Sequence, residues 1–266
     1  MPILRDITLG QYYPGNSYLH RLDPRSKLIT SLIFMTNLLF GFNVKVLLLN
    51  TLVCLGGIIL SGVPIGIVAK NLRPFVWLFV ITFLLHAFST PGEALFIIPG
   101  VDWNVTLQGI SNGAAYVMRL TFLIVLAALF TLTTTPVDLT QGLSLLLRPL
   151  KRLKVPVHEF ALMMTLTLRF VPILLREAQR VKNAQLSRGV SLEGTLLARV
   201  RNLLPMLVPL FISAIRRAED LAMAMEARSY VSDGKRTSFH ELGFRIDDIE
   251  LFVFTFIFLG VASAVR

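Results

Sequence analysis

The residues best suited to chemistry in this chain are two arginines in matching surroundings, Arg188 in Ser187-Arg188-Gly189 and Arg228 in Ala227-Arg228-Ser229. A guanidinium presents five donors in a rigid fork that fits carboxylates and other oxygen acceptors. Small neighbours on both sides let it enter a groove closely. Residues 176–190 laid over 216–230 match Arg176 with Arg216, Ala178 with Ala218, Ala184 with Ala224 and Arg188 with Arg228. Taken singly, either arginine would serve equally well as a snorkelling or acidic-lipid contact. The repeated context favours two equivalent arms that meet two equivalent partners.

No catalytic set accompanies these arginines. Gly234-Lys235-Arg236-Thr237-Ser238 lacks the upstream glycine and the adjacent Lys-Ser/Thr that cradle phosphate and magnesium. There is no His-Glu-x-x-His and no Gly-x-Ser-x-Gly. The single cysteine, Cys54, rules out a disulfide or a cysteine metal site within one chain. His86 and His158 have no companion at metal-ligand spacing and read as structural. No enzyme activity, metal site or cofactor is expected in this chain.

The elements that position the arginines follow from composition. Of 266 residues, 54% are hydrophobic and 16% charged, with a mean hydropathy of +0.68. Soluble domains carry about 25% charged residues, so the fold class expected is an all-α polytopic membrane protein. About five transmembrane helices are predicted, with long cytoplasmic helices between the fourth and the last. The spans run over 27–42, 44–68, 75–88, 109–132 and 249–265. The third, 14 residues between Pro74 and Pro91, is short against the roughly 20 a bilayer requires. Apart from Glu250 at the very start of the last, these spans hold no acid, so the intramembrane acids that proton or sodium coupling needs are missing. Arg119 lies inside the fourth. The first 26 residues lack the pattern of a cleaved signal peptide, so the N-terminus is expected to be retained.

Charge sets the orientation. Arg5, Arg21, Arg25 and Lys27 precede the first span, Lys70 and Arg73 follow the second, and residues 148–236 hold 16 of the 26 Lys/Arg. The loop 89–108 has neither Lys nor Arg. The positive-inside rule then places the N-terminus and the basic block in the cytoplasm and the C-terminus outside. Three regions are expected: a membrane region at 1–134, a cytoplasmic or interfacial region at 135–246, and a final transmembrane helix at 247–266. A nucleic-acid partner is set aside. The basic block is rich in Leu, Met and Phe at helical spacing and has no nucleic-acid-binding motif.

That block reads as helices. Leu22-Asp23-Pro24 and Thr135-Pro136-Val137-Asp138 are helix starts, with Asp23 or Thr135 as cap and proline at the first position. One long pattern runs from Val157 to Leu186 and stops near Gly189. A second runs from Leu203 to Ala227, where Pro205 and Pro209 should bend or start it. Another capping box is expected at Ser238–Glu241. Asp247, Asp248 and Glu250 favour the start of the last span through the helix dipole. Each long helix of about 25–30 residues would reach about 40 Å. Arg169 fits a helix lying at the interface. Met163, Met164, Met206, Met223 and Met225 read first as core, and second as an adaptable contact surface.

These pieces resemble the transmembrane T component of energy-coupling factor (ECF) transporters. The match lies in Leu22-Asp23-Pro24-Arg25-Ser26-Lys27-Leu28, Thr134-Thr135-Pro136, Met163-Met164-x-Leu166 with Leu168-Arg169-Phe170 and Pro172, and the two arginine motifs. The family's arginine motif is typically Ala-Arg-Gly; here it reads Ser-Arg-Gly and Ala-Arg-Ser. The resemblance implies a four-part importer. Two ABC-type ATPases, EcfA-like and EcfA′-like, would bind ATP and magnesium and each receive one motif, Ser187-Arg188-Gly189 or Ala227-Arg228-Ser229. A small membrane protein, the S component, would bind a vitamin or metal, and several S components could exchange. The long helices would be coupling helices. Their apolar faces, at Met163, Met164, Leu166 and Phe170 and at Leu203, Leu207 and Phe211, would contact the S component. The other partner is membrane lipid, the location the cell membrane. The alternatives are a T component dedicated to a cobalt or nickel importer and, behind it, a self-contained secondary carrier.

Overall fold

A computed structural model describes residues 12–40, 44–91, 94–97, 104–153, 156–189, 196–231 and 243–265. The elements are α1 (Tyr18–Arg21), α2 (Pro24–Phe40), α3 (Val44–Ser61), α4 (Ile65–Leu72), a 3-10 turn (Arg73–Phe75) and α5 (Val76–Ser89). A short ribbon of β1 (Ala94–Ile97) and β2 (Asn104–Thr106) follows. Next come α6 (Leu107–Thr133), α7 (Pro136–Leu146), a 3-10 turn (Arg148–Leu153), α8 (Val157–Ser187), α9 (Leu196–Ala227) and α10 (Ile246–Val265). The chain forms two compact units, Met1–Gly142 with Leu242–Arg266, and Leu143–Glu241. The capping box expected at Ser238–Glu241 lies outside the described residues.

The protein is an all-α polytopic membrane protein. Among the described residues four helical stretches are long and apolar enough to cross a bilayer: Ile65–Ser89, Leu107–Thr133, Val157–Ser187 and Ile246–Val265. Lys45–Ser61 is apolar but shorter. The second and third spans divide differently from the sequence expectation. α3 stops at Ser61 because Gly62 takes a left-handed φ of 62°, a conformation open to glycine. The Ser61 hydroxyl accepts from Val63 N–H (3.2 Å) and closes the turn. Pro64 then leads directly into α4, and α4, the 3-10 turn and α5 form one 25-residue stretch. The third span therefore does not fall short. The loop expected at 89–108 also carries the antiparallel ribbon, which pairs Phe96 with Val105 and Ile97 with Asn104.

In the first unit α6 is central and touches α2, α3, α4 and α5. Its buried Phe122, Val125, Leu126, Leu129 and Leu132 follow helical spacing and face the core. Phe34 of α2 meets Phe258 of α10 edge-on at 4.9 Å between centroids. Near its start, α6 packs closely on α5 through Gly109 and Gly113, spaced as in a small-xxx-small contact. A Cβ on Gly109 would lie 2.7 Å from the Ala87 carbonyl oxygen, and one on Gly113 3.1 Å from that of Phe83.

A buried polar knot joins five helix ends in this unit. Asp23 caps α2, its Oδ1 accepting Arg25 N–H (2.9 Å). Asp248, wholly buried, occupies the third position of α10. Its Oδ2 accepts from Arg245 N–H (2.8 Å), the reach-back half of a capping box. Its Oδ1 accepts from Asp23 N–H (2.8 Å). The Ser26 hydroxyl lies between that carboxylate and the Asp23 carbonyl oxygen and donates to one or the other. Lys27 Nζ donates to Thr133 O (3.0 Å) and so caps the C-terminal end of α6. Tyr18 of α1 donates to the Asp247 carbonyl oxygen (3.0 Å). At the start of α7, Asp138 N–H donates to Thr135 Oγ1 (3.1 Å), as the sequence indicates. Gly142 of α7 leaves room for Pro24, whose Cβ would lie 3.0 Å from an added Cβ.

Two outcomes test this packing in thermal unfolding of the detergent-solubilised protein. Gly109→Ala should cost about 2 kcal/mol, since the clash is with backbone, while Gly56→Ala, with nothing within 4 Å of its Cβ, should be near neutral. Asp248→Ala should cost about 3 kcal/mol, because two N-cap amides lose their acceptor. Equal effects at both glycines, or a neutral Asp248→Ala, would contradict the packing described.

Candidate functional site: two arginine-tipped helices

The second unit carries both arginine motifs, and each occupies the same place in its helix. α8 ends at Ser187 with Arg188 as the cap residue, whose N–H reaches the Ala184 carbonyl oxygen (3.2 Å). Gly189 follows in the left-handed region at φ 84°, its N–H donating to Leu186 O (3.0 Å). α9 ends at Ala227 with Arg228 next, and Ser229 takes φ 54°. Ser229 N–H donates to Glu226 O (2.8 Å) and Tyr230 N–H to Met225 O (3.0 Å). Those two bonds make a Schellman cap. Both tips thus consist of an exposed arginine closing a helix, followed at once by a left-handed residue that turns the chain away. Ser187, Arg188, Gly189, Ala227, Arg228 and Ser229 are all exposed. Serine at the left-handed position carries a cost that glycine avoids, about 1 kcal/mol.

The two helices pack on each other and are bridged by charge. Arg217 Nη2 lies 3.6 Å from Glu177 Oε2, and Arg180 Nη1 of α8 lies 3.8 Å from the same oxygen. Glu177 and Arg217 are equivalent positions when the two motifs are superimposed, since each stands 11 residues before its arginine tip. The bridge therefore lies the same length of helix before each tip, about 17 Å at 1.5 Å per residue. Sequence reasoning missed this pair, although the opposite charges at equivalent positions were a usable signal.

The apolar residues expected to face a membrane partner are mostly open. Met163 is 61% and Phe211 69% exposed. Leu203, Leu207 and Met164 are exposed as well, and Leu166 and Phe170 are half-buried. On α9 the exposed residues Leu203, Leu204, Leu207, Val208, Phe211 and Ile212 recur at helical spacing and form one continuous stripe. Met206 points the other way and is buried. α9 runs unbroken through Pro205 and Pro209 and starts at Leu196, earlier than the sequence pattern suggested. Arg169, Arg176 and Arg216 lie exposed on the same two helices. In the first unit, Arg119 lies over the Tyr116 ring at 5.2 Å, and His86 packs on the same Tyr116 ring at 4.2 Å between centroids. Among the described residues no cluster of His, Cys, Asp or Glu could hold a metal.

Ser229→Gly should slow hydrogen exchange at the Tyr230 amide about fivefold, the equivalent of about 1 kcal/mol of relieved left-handed strain. Gly189→Ala should speed exchange at the residue 189 amide by a similar factor, since its Cβ would meet nothing within 4 Å and only the backbone is strained. Unchanged exchange in both would show that the tips do not depend on these caps.

Comparison with known proteins agrees with this architecture. A family model described as CbiQ, cobalt transport protein, matches residues 15–239. The energy-coupling factor transporter transmembrane protein EcfT of Bacillus subtilis (strain 168) is 43% identical over 242 residues, covering 90% of this chain and 91% of the relative. The protein of the same name from Acidaminococcus fermentans is 43% identical over 252 residues, covering 90% of this chain and 89% of the relative. The one from Thermosediminibacter oceani is 42% identical over 253 residues, covering 95% of each. With a family match across most of its length and relatives above 40% identity over nine-tenths of it, the chain belongs to the CbiQ family, as a transmembrane component of an energy-coupling factor transporter.

Proposed function

We propose that this chain is the non-catalytic coupling subunit of a four-part ATP-driven importer. Arg188 and Arg228 would each dock into a groove of one of two ABC-type ATPases, which bind ATP and magnesium. The apolar faces at Met163, Met164, Leu166 and Phe170 and at Leu203, Leu207 and Phe211 would hold the S component that binds a vitamin or another micronutrient. The observation that carries this reading is the equivalence of the tips. Two exposed arginines close two helices in the same geometry, at equal distance from the Glu177–Arg217 bridge. Such a pair suits two homologous sockets.

The mechanism is mechanical. Closing of the ATPase pair on ATP draws the two tips together, and stiff helices carry that motion beyond the bridge to the S component. Each arginine contributes only when a carboxylate or carbonyl oxygen holds it in its socket. Removing one partner of such a pair typically costs about 2–5 kcal/mol. The bridge is partly exposed, so it adds at most about 1 kcal/mol of stability and matters through the angle it sets. The positive-inside bias supports a cytoplasmic N-terminus and cytoplasmic coupling helices, with the C-terminus outside. The family description, cobalt transport protein, favours one second reading: a T component dedicated to a single metal-binding S component.

Purification of the tagged chain from its host tests both readings. Two ATPases and one or more S components should accompany it, and Arg188→Glu/Arg228→Glu should lose the ATPases and all ATP-driven uptake. A mixture of S components supports a shared subunit, and a single metal-binding one supports the dedicated reading. Wild-type uptake in the double variant, or transport by the chain alone in liposomes, would overturn the proposal. Leu166→Asp or Leu207→Asp should release the S component and leave the ATPases bound. Glu177→Arg should uncouple ATP hydrolysis from uptake, and Glu177→Arg/Arg217→Glu should restore it. Failure of the reversed pair to recover would remove the bridge from the mechanism.

A further inference from the structure

The stretch Ile65–Ser89 carries a feature that coupling does not use. On α4 the buried side is marked by Val68, with Ile67 and Leu72 packed beside it. The other side presents Gly66, Lys70, Arg73 and Trp77, all exposed, at intervals of four, three and four residues. That spacing aligns them along one helix face. Neither Lys70 nor Arg73 makes an ion pair or hydrogen bond through its side chain among the described residues. Trp77 is 68% exposed, and its indole N–H has no acceptor among them. Among the described residues, three strong donors on one open face lack an acceptor.

Depth says what would supply one. From Pro74 to Phe88 no residue is charged. The distance from Ser89 back to Lys70 is about 28 Å of helix, close to the roughly 30 Å of hydrocarbon in a bilayer. With the Ser89 end at one boundary, Lys70 and Arg73 reach the phosphate layer of the other, their stems lying along apolar surface. Trp77 then sits one turn deeper, where amphipathic rings collect. A zwitterionic headgroup carries its own cation and is a poor match for two unpaired positive charges. A headgroup with net negative charge fits them.

We propose that Lys70, Arg73 and Trp77 form a binding site for the headgroup of an anionic phospholipid. The Arg73 fork and the Lys70 ammonium take the phosphate oxygens, and the Trp77 indole donates to an ester carbonyl of the same lipid. The site rests on Ile65–Ser89 crossing the membrane and not on the coupling role of the arginine tips, so either can fail alone.

The test uses the full chain in bilayers. Of its two tryptophans, Trp103→Phe leaves Trp77 as the sole reporter. Quenching by brominated phosphatidylglycerol should exceed quenching by brominated phosphatidylcholine at equal mole fraction. Lys70→Gln/Arg73→Gln should lower that preference by roughly fivefold per cation, and Lys70→Arg/Arg73→Lys should keep it. As a second measurement on the chain with both tryptophans, native mass spectrometry should find phosphatidylglycerol retained by the wild type and lost from the Gln pair. Equal quenching by the two lipids, a preference that survives in the Gln pair, or displacement by inorganic phosphate would each overturn the proposal.

Discussion

One carboxylate holds the first unit together. Asp248 sits between the N-termini of α2 and α10 and accepts the N-cap amide of each. Both helix ends carry partial positive charge and unpaired N–H groups, so a buried anion there is favoured on two counts. Lys27 plays the opposite part, placing an ammonium on the C-terminal carbonyls of α6. The carboxylates of Asp138, Asp248 and Asp23 all bear on that ammonium. Unpaired, any of these charges would be costly to bury. Together they fasten residues near the two ends of the chain and leave α6 as the post around which the other helices pack.

The second unit follows a different rule. Its helices are long, open and joined by a partly exposed ion pair. Rigidity here comes from long runs of backbone hydrogen bonding, and α9 stays helical through Pro205 and Pro209 although each removes one N–H donor from the ladder. The proposed coupling role lies at the ends, where each helix finishes on an arginine followed by a left-handed residue. Gly189 meets that requirement without strain, and Ser229 meets it at a cost, compensated by two backbone bonds.

Exposed apolar surface is the other recurring feature. On α5, α9 and α10 large side chains face outward without cover. In water such faces would drive association. In a membrane protein lipid covers such faces, and the proposed headgroup contacts of Lys70, Arg73 and Trp77 would mark where the surroundings change from hydrocarbon to headgroup.

The sequence by itself was enough for the class, most of the long helices and the position of the two arginines at helix ends. Composition demanded a membrane protein, proline and Asp or Thr marked the starts of α2 and α7, and the repeat around Arg188 and Arg228 identified the two arms. Those signals are local, and local signals survive in one dimension. The boundary between the second and third spans was misread because Gly62 and Pro64 lie inside an apolar run, where hydropathy does not distinguish a turn from a helix. The pairing of Asp23 and Ser26 with Asp248, of Lys27 with Thr133, and of Glu177 with Arg217 was decided only by the tertiary structure. Each joins residues whose partners are fixed by how helices pack, and packing depends on volumes and contacts at every position at once. The close approach at Gly109 and Gly113 belongs with them, since a missing side chain carries no signal until a neighbouring backbone occupies its place.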